Sequence, residues 1–232
     1  MTAKACVAFL NYKRHDLARA AARQVCGQVY EDPFPVYVFD NGGGLALPEY
    51  PRANVVARED NLLFTRGWNW AMEHLTHFEY VWMCNDDIWG VGQEMLGVLV
   101  AALATFPEAA VVTPAFNSPH ATFHRQYEKH GLREVGWMDW TCPVMRMAVW
   151  QSIGPFDPRF MGYGADLDWC KRARDAGWKF YVHDGLQVHH LGSQTALSQG
   201  LQGKQGNVAE MNRLLCGKWG VGNWTELAGG VR

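Results

Sequence analysis

The chain has no excess of positive charge: 21 lysines and arginines stand against 23 aspartates and glutamates, for a formal net charge of −2. Without a basic footprint, nucleic acid is disfavoured as a partner, although a neutral total does not exclude a local patch. No two cysteines stand in CxxC spacing. The six, at 6, 26, 84, 142, 170 and 216, are scattered, several of them within apolar stretches. Structural zinc and a disulfide framework are therefore disfavoured, and buried reduced thiols are expected. The longest apolar stretch, residues 95–106, falls far short of the ~20 residues a membrane span needs. The N-terminal MTAKAC has no signal-peptide pattern. These absences predict a soluble, cytoplasmic protein with no membrane span. Internal repeats and long linkers are missing too, so a length of 232 residues predicts a single domain.

What the chain does contain is a run of short apolar segments alternating with helical periodicity. Strands are expected at 5–10, 36–39, 54–57, 80–84 and 110–113. Helices are expected at 16–25, 65–75 and 93–105. Strands alternating with helices over the first ~115 residues predict an α/β fold with a mostly parallel sheet. The second half is less regular. Residues 121–139 read as loops or a small hairpin, 138–145 as a strand and 146–153 as a short helix. A helix over 166–176 stops at Gly177, a strand follows at 180–182, and another helix lies around 208–216. The Gly/Gln/Ser-rich stretch 192–206 reads as a mobile loop.

Polar clusters fall at the ends of these strands, on the edge where open α/β sheets bind ligands. The apolar run from Tyr80 stops abruptly at Asn85, Asp86 and Asp87. Crowded oxygen ligands there suit a hard divalent cation with phosphate completing its shell, or simply a polar turn. Asp40 precedes an Asn-Gly-Gly-Gly turn, a place for a nucleobase N–H or a ribose hydroxyl, or for a glycine turn alone. Asp166 and Asp168 open a helix after Met-Gly-Tyr-Gly. The glycines let the backbone bend and present Asp166 to a cleft, yet first-turn carboxylates are also favoured by the helix dipole alone. His189 and His190 point to opposite faces of a strand, so one of them at most shares the site. Trp137, Asp139 and Trp140 lie in a polar neighbourhood, where exposed aromatics would stack on a sugar face.

In order and spacing these segments resemble the inverting GT-A-fold glycosyltransferases of family two, especially the bacterial rhamnosyltransferase-like branch. The resemblance runs along nearly the whole chain. VAFLNYKR at 7–14 is similar to the family's opening strand and "tyN-r" turn, and VFDNGG at 38–43 to its "vvDNgS" turn. NLLFTRGWN at 61–69 resembles "NlGfaggnN", and CNDDI at 84–88 takes the place of "lNpDv", the DXD-type metal motif. GPFDPRF at 154–160 is close to "GgFDerfF", GADLDWCKR at 164–172 to "eDvDlclR", and GLQVHHLG at 185–192 to "a-v-H-gg". KWG at 218–220 matches the branch's ending.

The resemblance implies a Rossmann-like GT-A sheet, with a nucleotide-sugar half over about 1–115 and an acceptor-side half over about 116–232. It implies transfer of a hexosyl or deoxyhexosyl group from a UDP, dTDP or GDP sugar to a hydroxyl of a glycan, protein or other acceptor. Asp40 would hold the base or ribose, with Tyr12 near the nucleotide. Asn61, Arg66 and Asn69 would lie near the donor, Arg66 meeting a phosphate. Asp87 would be the principal ligand of Mn²⁺ or Mg²⁺, with Asn85 and Asp86 beside it. His190 would be a third ligand or a diphosphate partner, with His189 as the other register. Asp166 aligns with the general base, and Asp168 would pair with Arg172 one turn on. Ala165 stands where the family usually has a glutamate. A catalytically weak or inactive nucleotide- or carbohydrate-binding protein is therefore an alternative. A nucleotidyltransferase is a more distant one, because the turn at 11–16 has no glycine for a phosphate loop.

Overall fold

The computed structural model describes residues 4–27, 34–117, 124, 131–192 and 208–228. The stretch expected to be mobile therefore lies, apart from Gly192, outside the described residues. So do 121–123 and 125–130 of the expected hairpin.

Nine strands form one sheet. They are β1 (Ala5–Asn11), β2 (Val36–Asn41), β3 (Ala53–Arg58), β4 (Tyr80–Asn85), β5 (Ile88–Trp89), β6 (Ala109–Asn117), β7 (Leu132–Val135), β8 (Val144–Arg146) and β9 (Lys179–His190). The order is β3-β2-β1-β4-β8-β6-β9-β5, and β7 pairs with β9 off this path. Strands β1 to β4 pair in parallel, as do β6 and β9. β8 is antiparallel to both β4 and β6, so those two run the same way. The C-terminal ends of β1, β2, β4, β6 and β9 consequently share one edge of the sheet. This is a mostly parallel α/β sheet, as the alternating pattern predicts.

Helices cover both faces, which explains why β1 and β4 are apolar almost throughout rather than alternating. On one face lie α1 (His15–Cys26) and α3 (Met95–Thr105). α1 buries Ala18, Ala21, Ala22 and Val25, one stripe at helical spacing. The other face carries α2 (Leu63–His74), α4 (Met147–Ile153), α5 (Ala165–Asp175) and α6 (Val208–Trp219). Its centre is aromatic: Trp140 meets Phe156 and Trp169 edge-on, each at 5.2 Å between centroids, while Trp150 and Trp169 stack at 5.9 Å.

Three expectations need correction. The strand expected over 138–145 is only β8. Residues 141–143 still run beside β4, where the N–H groups of Asn85 and Met83 donate to Thr141 and Pro143 carbonyls. Pro143 has no N–H to return, so a regular ladder starts only at Val144. The strand at 180–182 and the histidine strand are one long element, because β9 absorbs Asp184 to Leu186 as an irregularity opposite Pro114 and Ala115. Trp140 is not an exposed stacking surface. It is 2% exposed, its indole Nε1–H points to the Met83 sulfur at 3.0 Å, and its apolar bulk belongs to the core.

Candidate active site

The site grows from the C-terminal edge of the sheet. β1 ends in buried Asn11, whose amide donates to the Arg14 carbonyl at 2.8 Å and to Asp86 Oδ2 at 2.6 Å. β2 ends in Asp40, which is fully buried. Its Oδ2 accepts the Leu45 N–H at 2.8 Å, and its Oδ1 is buried without a hydrogen-bond partner among the described residues. Leaving a buried acceptor unpaired costs roughly 1–3 kcal/mol, so this oxygen is poised for an incoming donor. Tyr12 lies over Gly42: a Cβ there would come within 2.7 Å of its ring. Only glycine lets the β2 turn pass beneath that ring. Lys13 Nζ, on the rim, donates to the Gly42 and Gly43 carbonyls and ties the two turns together.

Asn41 and Asn61 organise the start of α2. The Asn41 amide donates to Asn61 Oδ1 at 3.0 Å, and Asn61 Oδ1 also accepts the Leu63 N–H at 2.8 Å. Asn69 has both polar side-chain atoms engaged with the Phe156 backbone, each at 2.9 Å. The donor contact expected of Asn69 is thereby replaced by a clamp between α2 and the 154–160 turn, and Asn61 is likewise occupied in shaping the helix entry. Arg66 is exposed on α2 with no hydrogen bond or ion pair among the described residues.

At the end of β4, Asp86 and Asp87 are both buried, on different tasks. Asp86 is held by Asn11. Burial pushes its carboxyl up to about 7, with the Asn11 hydrogen bond opposing the rise and the neighbouring Asp87 charge adding to it. Asp87 pairs with His190 Nε2 at 3.0 Å. Asn85 Nδ2 lies 3.4 Å from the same nitrogen. The histidine register is set by β5, where Ile88 faces His190 and Trp89 faces His189. His189 therefore stacks on half-exposed Trp89 at 4.1 Å, away from Asp87. Burial alone would lower the His190 pKa, but the hydrogen bond and charge of Asp87, helped by Asp139 and Asp86, outweigh it and raise the pKa.

Sequence reading missed Thr141 and Asn11. The Thr141 hydroxyl donates to Asp139 Oδ1 at 2.6 Å and lies 3.4 Å from His190 Nδ1, joining the two. Thr141 carries no motif signal, and Asn11, although it is the asparagine of the 7–14 motif, shows its task only through Asp86, a partner 75 residues along the chain. Trp137 is half-buried and meets His124 edge-on at 5.2 Å.

Asp166 sits in the first turn of α5, after Gly164 at φ +89°. A Cβ on Gly164 would come within 2.7 Å of Met211 on α6, so glycine is required on both counts. Burial raises the Asp166 carboxyl to about 7, and the Asp139 charge adds to this, against backbone N–H groups that include Leu167 at 2.9 Å. Ala165 is 1% exposed and packed in the apolar core, so its position does not line the site. Asp168 is fully buried and is paired with Arg172 at 3.1 Å, as expected, and also with Lys218 at 2.6 Å and the Trp219 indole at 3.0 Å.

Among the described residues no three His, Cys, Asp or Glu side chains converge as a metal cage. Asp87, His190 and the Asn85 amide do form a compact set of oxygen and nitrogen donors. Such a partial set suits a cation that takes most of its shell from phosphate and water.

No protein-family model matches the sequence. Two curated relatives, N-acetylglucosaminyl-diphospho-decaprenol L-rhamnosyltransferases from strains of Mycobacterium tuberculosis, are 24% identical, over 71% of this chain and 69% of theirs. Among solved structures, GalNAc-T7 with UDP, GalNAc and Mn²⁺ superposes with a TM-score of 0.63 at 8% identity, over 82% of this chain and 44% of that one. S. aureus TarS 1–349 in complex with UDP also scores 0.63, at 12% identity, over 92% and 65%. A longer TarS chain scores 0.60 at 14% identity, and this chain spans only 38% of its length. The structural likenesses show the fold, and the rhamnosyltransferase relatives agree with it: the chain has the GT-A fold of these glycosyltransferases and is similar in sequence to rhamnosyltransferases.

Proposed function

We propose that the protein transfers a sugar from a nucleoside diphosphate sugar to a glycan hydroxyl, with inversion at the anomeric carbon and with Mn²⁺ or Mg²⁺ held at Asp87. The observation that carries this reading is Asp166, a carboxyl raised to about 7 at the ligand-binding edge of the sheet. A group with that pKa is ionised often enough near neutrality to act, and basic enough to take a hydroxyl proton. In a single displacement the acceptor oxygen attacks the sugar opposite the departing diphosphate, and one base on the attacking side suffices. Asp166 fills that role.

Asp40 would hold the base. Its one unpaired oxygen matches the single N–H of a uracil or thymine edge; guanine presents two adjacent donors, and the second carboxylate oxygen is already taken by Leu45. Tyr12 would cover the nucleotide, and Arg66 is available to a phosphate. Asp87 and His190, with Asn85 beside them, would hold the cation, which would neutralise charge on the diphosphate leaving group. His190, here paired with Asp87, would be a further ligand of that cation or a partner of the diphosphate. Trp137 and Asp139 lie on the acceptor side. The relatives' name specifies a diphospho-decaprenol-linked sugar, and that similarity is what supports an acceptor glycan of this kind.

Calorimetric binding of UDP, dTDP and GDP, each with Mn²⁺ and then with EDTA, tests the donor and metal together. Binding of a pyrimidine diphosphate that EDTA abolishes is expected. Preference for GDP would overturn the Asp40 argument, and EDTA-insensitive binding would overturn the cation. Hydrolysis of the bound donor's sugar, lost in Asp166→Asn while diphosphate binding persists, tests the base.

A further inference from the structure

Asp139 lies on the acceptor side, where the transfer chemistry above gives its carboxylate no task. It is not on a regular element; the 136–143 segment carries it across the sheet edge. Two sets of bonds fix it there. Met138, its neighbour, donates its N–H to Cys170 Sγ at 3.2 Å, and that thiol is directed back to the Met138 carbonyl at 3.8 Å. Cys170 lies one turn after Asp166 on α5, so this contact docks the segment against the helix face from which Asp166 projects. The side chain is then held by the Thr141 hydroxyl at 2.6 Å, and its backbone N–H by His124 Nε2 at 3.4 Å. The segment that carries Asp139 is thus docked on the helix that carries Asp166.

We propose that Asp139 is a positioning residue for the transfer: a fixed negative neighbour, pinned by Thr141, that keeps Asp166 a competent base toward the acceptor hydroxyl. The proposal rests on the reading of Asp166 as the base. It gives this chain a second acidic group at the reaction edge, where position 165 supplies none.

The other charged groups around Asp166 are accounted for. On α5, Asp168 is neutralised by Arg172 and by Lys218 of α6. Cys170 of α5 is a thiol whose pKa burial pushes upward. At the ends of β4 and β9, Asp87 and His190 pair with each other, and Thr141 lies between His190 and Asp139, whose charge also helps to raise the His190 pKa. Asp139 is therefore the anion left to act on Asp166, in agreement with its contribution to the raised Asp166 carboxyl.

The test is the titration of the Asp166 carboxyl by carbon-13 NMR in the ligand-free protein, assigned by its absence in Asp166→Asn. In Asp139→Asn the midpoint is expected to fall by roughly half a pH unit to one unit, as loss of a like charge requires. Asp139→Glu, which keeps the charge, is expected to stay near wild type. The acid limb of donor hydrolysis, with water as acceptor and a UDP or dTDP sugar as probe, should move down with the NMR midpoint. A merely structural role for Asp139 would lower the rate without moving either. Thr141→Val unpins the carboxylate without removing it and should shift the midpoint the same way by less. It decides the matter if Asp139→Asn fails to bind UDP and so has not folded. An Asp166 midpoint unchanged in the folded variants overturns the proposal. Because the titration needs neither donor nor turnover, it stays separate from the base assignment, which fails only if Asp166→Asn still hydrolyses donor.

Discussion

The placement of Asp166 carries a stability cost that can be measured. In an unfolded chain an aspartate titrates near ~3.9; here burial and the Asp139 charge raise it to about 7. An acid whose folded pKa is raised makes the native state bind the extra proton. Stability is therefore lost as pH rises from about 4 to about 7, and the loss is then constant. Three pH units correspond to a ceiling of roughly 4 kcal/mol. Asp166 keeps part of its surface in solvent, whose screening brings a realistic figure to about 2–3 kcal/mol. Asp166→Asn has nearly the same shape, and its side-chain oxygen still accepts the Leu167 N–H, so the substitution relieves this cost and adds little else. For a domain of this size the variant should melt about 5–10 °C above wild type at pH 8.5. Scanning calorimetry from about pH 4.5 to 8.5 should show the gap opening up to about pH 7 and then levelling. A gap independent of pH, or a wild type that is the more stable at alkaline pH, would refute the reasoning that makes Asp166 a raised, costly base. The predicted trade is turnover lost and stability gained from one atom.

Three further outcomes are expected. Asp87→Ala should abolish Mn²⁺-dependent diphosphate binding in calorimetry, whereas Asp166→Asn should bind normally and lose ~10²–10⁴-fold in turnover; equal loss of affinity in both would break the division of roles. Asp168→Asn removes the charge from a fully buried carboxylate that accepts from Arg172, Lys218 and Trp219. It should cost about 2–4 kcal/mol, read as a lower urea midpoint at unchanged m-value, and a loss below 1 kcal/mol would mean the network is slack. Gly42→Ala places a methyl 2.7 Å from the Tyr12 ring. The ring must move, so UDP affinity should fall several-fold while the melting temperature changes little; unchanged affinity would take Tyr12 out of the nucleotide pocket.

Much of the fold was legible because several of the parallel strands end where an apolar run meets Asn, Asp or Gly, as at Asp40 and at Asn85 to Asp87. The same signal marked the edge at which the donor is proposed to bind, since those polar ends are the edge. Other features were hidden for physical reasons. Trp140 sits between polar neighbours in sequence, and only the packing of Phe156 and Trp169 around it makes it core. The Asp-Gly at 184–185 reads as a break, but β9 absorbs it because pairing continues on both sides. Alternation along a strand says that His189 and His190 face opposite ways; choosing between them required the pairing of Ile88 with His190. Asn69 looks like a ligand contact until both of its polar atoms are traced to Phe156. Thr141 gave no signal at all, since a threonine acquires its meaning only from the Asp139 and His190 brought to it.

The pairing of Asp168 with Lys218 and Trp219 has a consequence for synthesis. The helix that begins with the reactive carboxylate emerges from the ribosome some fifty residues before the cation and indole that complete the burial of Asp168, a separation of 51 residues for the indole. Until then Asp168 has Arg172 alone, and sealing it into an apolar layer would leave its charge only half compensated. Full compensation of Asp168 inside that layer therefore waits for α6. In a nascent or nicked chain ending before Lys218, Asp168 would keep Arg172 alone of these three partners, so α6 completes the seating of the helix that carries Asp166, the proposed base.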